Sequence, residues 1–147
     1  MQAFMTTLNE KIEKATAYIR VKTDIQPYAV LVLGSGLGNY AERVEDAVVI
    51  PYAHIPEFPE STVPGHAARL VMGNVRGLPV AIMQGRYHYY EGSPQQLLTM
   101  PLRVLRKLGA AVLMLTNARG GLDASFQPAD LMLIEAHINF LGRIPPV

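Results

Sequence analysis

The sequence predicts an α/β protein, with an open sheet flanked by helices and a ligand site beyond the ends of its strands. Two observations carry this. Three apolar runs, AVLVL at 29–33, VAIM at 80–83 and AAVLML at 110–115, each stop at a glycine-rich or charged turn. A continuous apolar run is the pattern of a strand buried on both faces. Helical segments precede the first and third runs. Ligands of open α/β sheets bind beyond the carboxyl ends of strands, so three such ends meeting would form one site.

A chain of 147 residues suits one domain. Half of its residues are hydrophobic and 17% are charged, so it can build a core and does not resemble a disordered chain. Thirteen basic and twelve acidic side chains leave a net charge of +1. No global field draws the protein to nucleic acid or to an acidic membrane surface, and any anion site must be local. The chain has no cysteine. That excludes disulfides and thiolate metal ligands and fits a reducing, cytoplasmic location. The N-terminal MQAFMTTLNEKIEKA lacks a secretory h-region, and no run is long enough to span a membrane.

The elements follow in order. Residues 7–22 form an amphipathic helix, with Leu8, Ile12, Ala15 and Ile19 on one face and Thr7 with Glu10 as a capping box. Its expected job is packing. The strand at 29–33 runs into Gly34-Ser35-Gly36-Leu37-Gly38 and then a short helix. A glycine turn of this kind can offer backbone N–H groups to an anion. The spacing is GxGxG, which matches neither the dinucleotide fingerprint nor a P-loop, so a merely tight turn is the competing assignment. Residues 46–50 read as a strand, and 54–65 as a proline-rich loop that carries Ser61 and Thr62, with His66 just beyond it. Two strands, 69–75 and 78–83, meet at Arg76-Gly77 as a hairpin. Ser93 and Pro94 open a helix whose apolar face includes Leu97, Leu98, Leu102, Val104, Leu105 and Leu108. Pro101 should kink it, Arg103, Arg106 and Lys107 suit its C-terminal dipole, and Gly109 stops it. The strand at 110–115 ends in TNARGG at 116–121, and 131–134 reads as a further strand followed by Glu135, His137 and Asn139.

The densest chemistry lies in GRYHYYEG at 85–92. Arg86 offers a planar, bidentate fork for phosphate or carboxylate. His88 lies on the same side of an extended segment, and with Ser35 the three can hold one tetrahedral anion. Glu91 can accept from a histidine and set its tautomer. Tyr87, Tyr89 and Tyr90 are equally consistent with core or interface packing, though a tyrosine can also pack on a sugar. His54 and His137 are assigned structural roles. No histidine pair at i, i+4 supports a metal site, and Ser35 lacks the GxSxG elbow of a hydrolase. From the residues alone, the result is a small-molecule anion site on an α/β sheet.

Five motifs together resemble one family. LGSGLG at 33–38, IPEFPESTVPGHAARLVMG at 55–73, GRYHYYEG at 85–92, TNARGG at 116–121 and DLMLIEAHIN at 130–139 occur in the order and spacing of the trimeric, inosine/guanosine-type purine nucleoside phosphorylases. The resemblance covers nearly the whole chain. It implies a mixed central β-sheet flanked by helices, with residues 1–147 as the N-terminal portion of a single nucleoside phosphorylase domain. It implies reversible phosphorolysis of purine (deoxy)ribonucleosides to free base and pentose 1-phosphate. Ser35, His66, Arg86, His88 and the backbone N–H of Ala118 would hold phosphate. Tyr90 would touch ribose, and Glu91 would support the phosphate-site histidine. Catalysis would rest on His88, Arg86 and Glu91, with no metal or cofactor and inorganic phosphate as co-substrate. A homotrimer is the family's assembly.

The chain departs from the family pattern in three ways. The family continues with a long C-terminal portion that reads the purine, completes the ribose site and adds strands to the sheet. Without those strands an edge and apolar surface would be exposed, and a complementing C-terminal chain is one expected partner. Arg119 stands where the family has a small residue, and Ala68 stands where GHAGRL-like stretches carry glycine, which would strain a turn. Two alternatives to a working phosphorylase are a truncated, non-catalytic homologue that binds phosphate or a partner, and a methylthioadenosine phosphorylase.

Overall fold

A computed structural model of the chain describes residues 7–59, 67–87 and 95–138. Helix α1 (Leu8–Lys22) begins as expected: Thr7 Oγ1 accepts from the Glu10 N–H, and Glu10 accepts from the Thr7 N–H at 2.7 Å. The reciprocal pair satisfies two otherwise orphaned groups at the helix start. Strands β1 (Ala29–Leu33), β2 (Glu45–Pro51), β3 (Arg69–Val75), β4 (Leu78–Gln84) and β5 (Val112–Leu115) form one sheet in the order β2-β3-β4-β1-β5. A 3-10 helix at Gly38–Arg43 joins β1 to β2, and another at Tyr52–His54 follows β2. Helix α2 (Gln95–Lys107) precedes β5.

The sheet is mixed, for a local reason. β3 and β4 pair antiparallel, with Val75 opposite Leu78. Arg76 and Gly77 have φ of 52° and 76°, the left-handed pair of a type I′ turn, whose twist matches the strands it joins. β1 then pairs parallel with both β4 and β5.

Side-chain alternation sorts the sheet into two faces. Val30, Val32, Leu70, Met72, Ala81 and Met83 point to the face covered by both helices, against Ile12, Ala15 and Ile19 of α1 and Met100, Val104 and Leu105 of α2. Ala29, Leu33, Val71, Val80 and Ile82 point to the other face, where Ala41 and Val44 cover them. α2 passes through Pro101, which is fully buried. It ends in a Schellman motif, with Ala110 N–H on Leu105 C=O and Gly109 N–H on Arg106 C=O, so Gly109 is the stop. Lys107 pairs with Glu13 and ties α2 to α1.

Two expectations need correction. Residues 131–134 are not a strand: they take no place in the sheet, and Leu131 and Leu133 are exposed. β-propensity needs a partner ladder and a packed face to become a strand, and this segment finds neither among the described residues. The strand at 110–115 is shortened to Val112–Leu115 and lies at the sheet edge, with Val112, Leu113, Met114 and Leu115 between 40% and 62% exposed. Ser93 and Pro94, the expected start of α2, lie outside the described residues.

Ala68 has a φ of +46°, in the left-handed region where a Cβ is unfavourable. Its carbonyl accepts from the Tyr52 N–H at 2.9 Å, which holds the strained residue in place. Ala68→Gly should therefore stabilise the fold by about 0.5–1 kcal/mol, the steric relief outweighing glycine's entropy, measured by urea denaturation. Hydrogen bonds from Thr7 hold the Glu10 carboxyl below its ordinary pKa, first through the backbone N–H and then through the side chain. A group with a depressed folded pKa contributes above its unfolded value and loses that contribution as pH falls through the folded one. The stability difference between wild type and Glu10→Gln should be present at pH 7 and shrink as pH falls below the ordinary glutamate range, followed by denaturation at a series of pH values.

Candidate functional site

The parallel arrangement of β4, β1 and β5 places three carboxyl ends side by side. β1 delivers Gly34 and Ser35, β4 delivers Gly85 and Arg86, and β5 delivers Thr116 and Asn117. The three apolar runs therefore empty onto one rim, as their shared pattern predicts.

The first turn is fixed by its glycines. Leu37 N–H donates to Gly34 C=O at 3.2 Å, closing a turn across Ser35 and Gly36. Gly36 has a φ of +84°, the third-position conformation of a type II turn. Gly34 answers a different need: a Cβ there would lie 2.6 Å from the Thr116 carbonyl oxygen. Only glycine lets the end of β1 approach the end of β5 this closely. Ser35 sits at the exposed crest of the turn.

Thr116 joins the three ends. Its hydroxyl accepts from the Gly34 N–H at 2.8 Å and donates to Val32 C=O at 3.0 Å. Its own N–H donates to the same Val32 carbonyl at 3.1 Å. Its carbonyl accepts from Arg86 Nη1 at 2.8 Å. Arg86 is thereby drawn across the end of β1 toward β5. A guanidinium has five donors in a rigid fork, so the bond to Thr116 aims a group whose geometry suits a tetrahedral or planar anion.

Behind Arg86, Tyr52 Oη donates to Gly85 C=O at 2.8 Å. The Tyr52 ring is buried and packs against Tyr87 at 5.5 Å and Phe58 at 5.9 Å between centroids. Burial, with Tyr87 as a second cause, pushes its phenol pKa well above the ordinary value. Tyr52 is therefore a neutral donor throughout the physiological range. Tyr87, half-buried, packs against the core, one of the roles that its sequence context left open.

Of the sequence-predicted site residues, Ser35, Arg86 and Ala118 are described, and all three lie at these strand ends. Ala118 is exposed, two residues beyond Thr116, and Arg119 Nη1 turns back toward the Ala118 carbonyl at 3.5 Å. His66, His88, Tyr90 and Glu91 lie outside the described residues. His54 and His137 are both exposed, so neither takes part in the core. Sequence reasoning missed Thr116, Tyr52 and Gln84 as organisers of the site. Thr116 opens the TNARGG motif, but only strand register reveals which groups it joins. A cavity of about 320 Å³ lies near the opposite ends of β1 and β5, lined by Arg20, Thr23, Asp24, Ile25, Gln26 and Leu108. It lacks the convergence of strand ends seen at the rim.

An open mixed sheet carries a glycine turn and an arginine on adjacent parallel strand ends, the place where ligands of open α/β sheets bind. Residues 28–147 match the Phosphorylase superfamily, and the chain belongs to that family. It is 49% identical over 134 residues to purine nucleoside phosphorylase 1 of Geobacillus stearothermophilus, a match covering 91% of this chain and 49% of the relative. It is 46% identical over 138 residues to purine nucleoside phosphorylase 1 of Bacillus subtilis strain 168, covering 94% and 51%. Among solved structures it is similar to isoform 2 of the Schistosoma mansoni purine nucleoside phosphorylase in complex with cytosine and ribose-1-phosphate. There the TM-score is 0.73 at 43% identity, covering 78% of this chain and 40% of that one. The chain thus spans about half the length of the curated relatives it matches.

Thr116→Val keeps the shape but deprives the Gly34 N–H of its acceptor and Val32 C=O of one donor. It should destabilise the protein by about 1–3 kcal/mol, the cost of stranding partly buried polar groups, whereas Thr116→Ser should restore most of that loss. Chemical denaturation of the pair checks both.

Proposed function

We propose that this chain supplies the phosphate subsite and part of the ribose subsite of a purine nucleoside phosphorylase of the trimeric, inosine/guanosine type. The observation that supports it most is the alignment of Arg86 with the Ser35 turn at parallel strand ends joined through Thr116. Kinship at 46–49% identity with two enzymes named as purine nucleoside phosphorylases supports the same assignment.

In this proposal Ser35, His66, Arg86, His88 and the Ala118 N–H bind phosphate, Tyr90 contacts ribose, and Glu91 orients the phosphate-site histidine. Phosphate is held beneath C1′ of the nucleoside. As the glycosidic bond breaks, its electron pair leaves with the purine nitrogen and the ribosyl ring becomes positive. The phosphate oxygen stabilises that charge and then forms the new bond to C1′. No protein nucleophile, metal or organic cofactor enters these steps. Base recognition falls to the portion of the family that follows these motifs, supplied on the same or a complementing chain. We place the protein in the cytoplasm and, by its kinship, in a homotrimer.

Phosphate-dependent release of hypoxanthine from inosine is the expected activity of the protein with its base-recognising portion. Release independent of phosphate would overturn the reaction type. For the 147 residues themselves, phosphate should raise the melting temperature. Arg86→Ala should weaken phosphate binding by about 2–4 kcal/mol, the loss of a charge-assisted pair of hydrogen bonds. An unchanged affinity, measured by calorimetry, would locate the anion site elsewhere.

A further inference from the structure

Gln84 is the last residue of β4 and one of two buried polar residues among those described, at 8% exposure. It lies on the sheet face of Val80 and Ile82, with Leu33 opposite it on β1. Burying an amide there is unfavourable unless both of its ends are bonded. A leucine or methionine would fill the space without that requirement, so packing alone does not account for glutamine.

Both ends are bonded. Gln84 Oε1 accepts from Arg69 Nε at 2.5 Å, and Gln84 Nε2 donates to Gly38 C=O at 3.0 Å. The register places Arg69 and Leu33 directly opposite Gln84 on its two neighbouring strands. The amide orientation is chemically forced. Arginine only donates and a carbonyl only accepts, so the oxygen must face Arg69 and the nitrogen must face Gly38. Gly38 closes the Gly34–Gly38 turn that carries Ser35 and begins the following 3-10 helix. Two positions along the chain from Gln84 stands Arg86. One side chain therefore links the strand that carries the arginine to the far end of the turn that carries the serine.

We infer that Gln84 is a positioning residue for the anion site, holding the Ser35 turn in register with Arg86, with Arg69 setting the direction of its amide. This role rests on the phosphate assignment made above. Gln84 touches no ligand. It acts by keeping the near end of the turn, held at Gly34 by Thr116, and the far end, held at Gly38, fixed to adjacent strands. Preorganisation of this kind lowers the ordering cost of binding.

Inorganic phosphate titrated into the 147-residue protein tests it, together with amide hydrogen exchange. Gln84→Met keeps the volume and neutrality but loses both bonds. Phosphate affinity should fall about tenfold, the effect of one net hydrogen bond on a binding equilibrium. Exchange of the 35–38 amides should quicken while that of β1 and β4 stays as in wild type. Gln84→Glu keeps the acceptor for Arg69 and turns a carboxylate on the Gly38 carbonyl, so it should quicken the same amides without phosphate present. It serves as the test should the methionine variant fail to fold. Wild-type phosphate affinity and wild-type exchange at 35–38 in either folded variant would overturn the role. A wild-type protein that does not respond to phosphate would overturn the phosphate assignment and this role with it, and that outcome is read from the wild-type titration alone.

Discussion

The close approach of β1 to β5 governs the rim formed by the carboxyl ends of the parallel strands. Parallel pairing sets the direction of the two strands, and Thr116 then closes the gap beyond their last ladder bonds. Its hydroxyl holds the Gly34 N–H, its backbone holds Val32, and its carbonyl holds Arg86. A Cβ at residue 34 would crowd the Thr116 carbonyl oxygen out of its place. One glycine and one threonine thus decide where the serine turn stands and where the arginine points. Parallel strands cannot be joined by a tight turn, so their ends are free to carry such groups.

The rim is supported from behind by polar groups that the core would otherwise exclude. Tyr52 anchors the Gly85 carbonyl just before Arg86, and its backbone N–H donates to strained Ala68. Gln84 braces the far end of the glycine turn. Buried polar groups are unfavourable when unbonded, and a bonded set locks one arrangement against its alternatives. Here these bonds concentrate where the strand ends must keep a common geometry, while the two faces of the sheet are packed with aliphatic side chains.

The chain belongs to the Phosphorylase superfamily and matches purine nucleoside phosphorylases over about half of their length. The function proposed above chiefly needs a desolvated, oriented phosphate, because positive charge develops on the sugar. An arginine fork beside a glycine turn is suited to that demand. The apolar β5 edge is exposed, with Val112, Leu113, Met114 and Leu115 all uncovered among the described residues.

Much of the fold is legible in local sequence. The 3.6-residue spacing and capping box of α1, the apolar strand runs, the Arg76-Gly77 hairpin and the Gly109 stop all depend on neighbours a few residues apart, and short stretches of chain carry that information. So do the residue types at the site: Arg86, Ser35 and the TNARGG turn stand out because cations and glycines seldom end buried strands without cause. The segment at 131–134 fails as a strand because β-structure needs a partner that local sequence does not name. Which strands lie side by side, that Thr116 reaches Gly34, Val32 and Arg86, and that Gln84 joins β4 to Gly38 are decided by tertiary structure alone. Those contacts span 30 to 84 positions. They arise from sheet order and register, which no periodicity within a single element encodes.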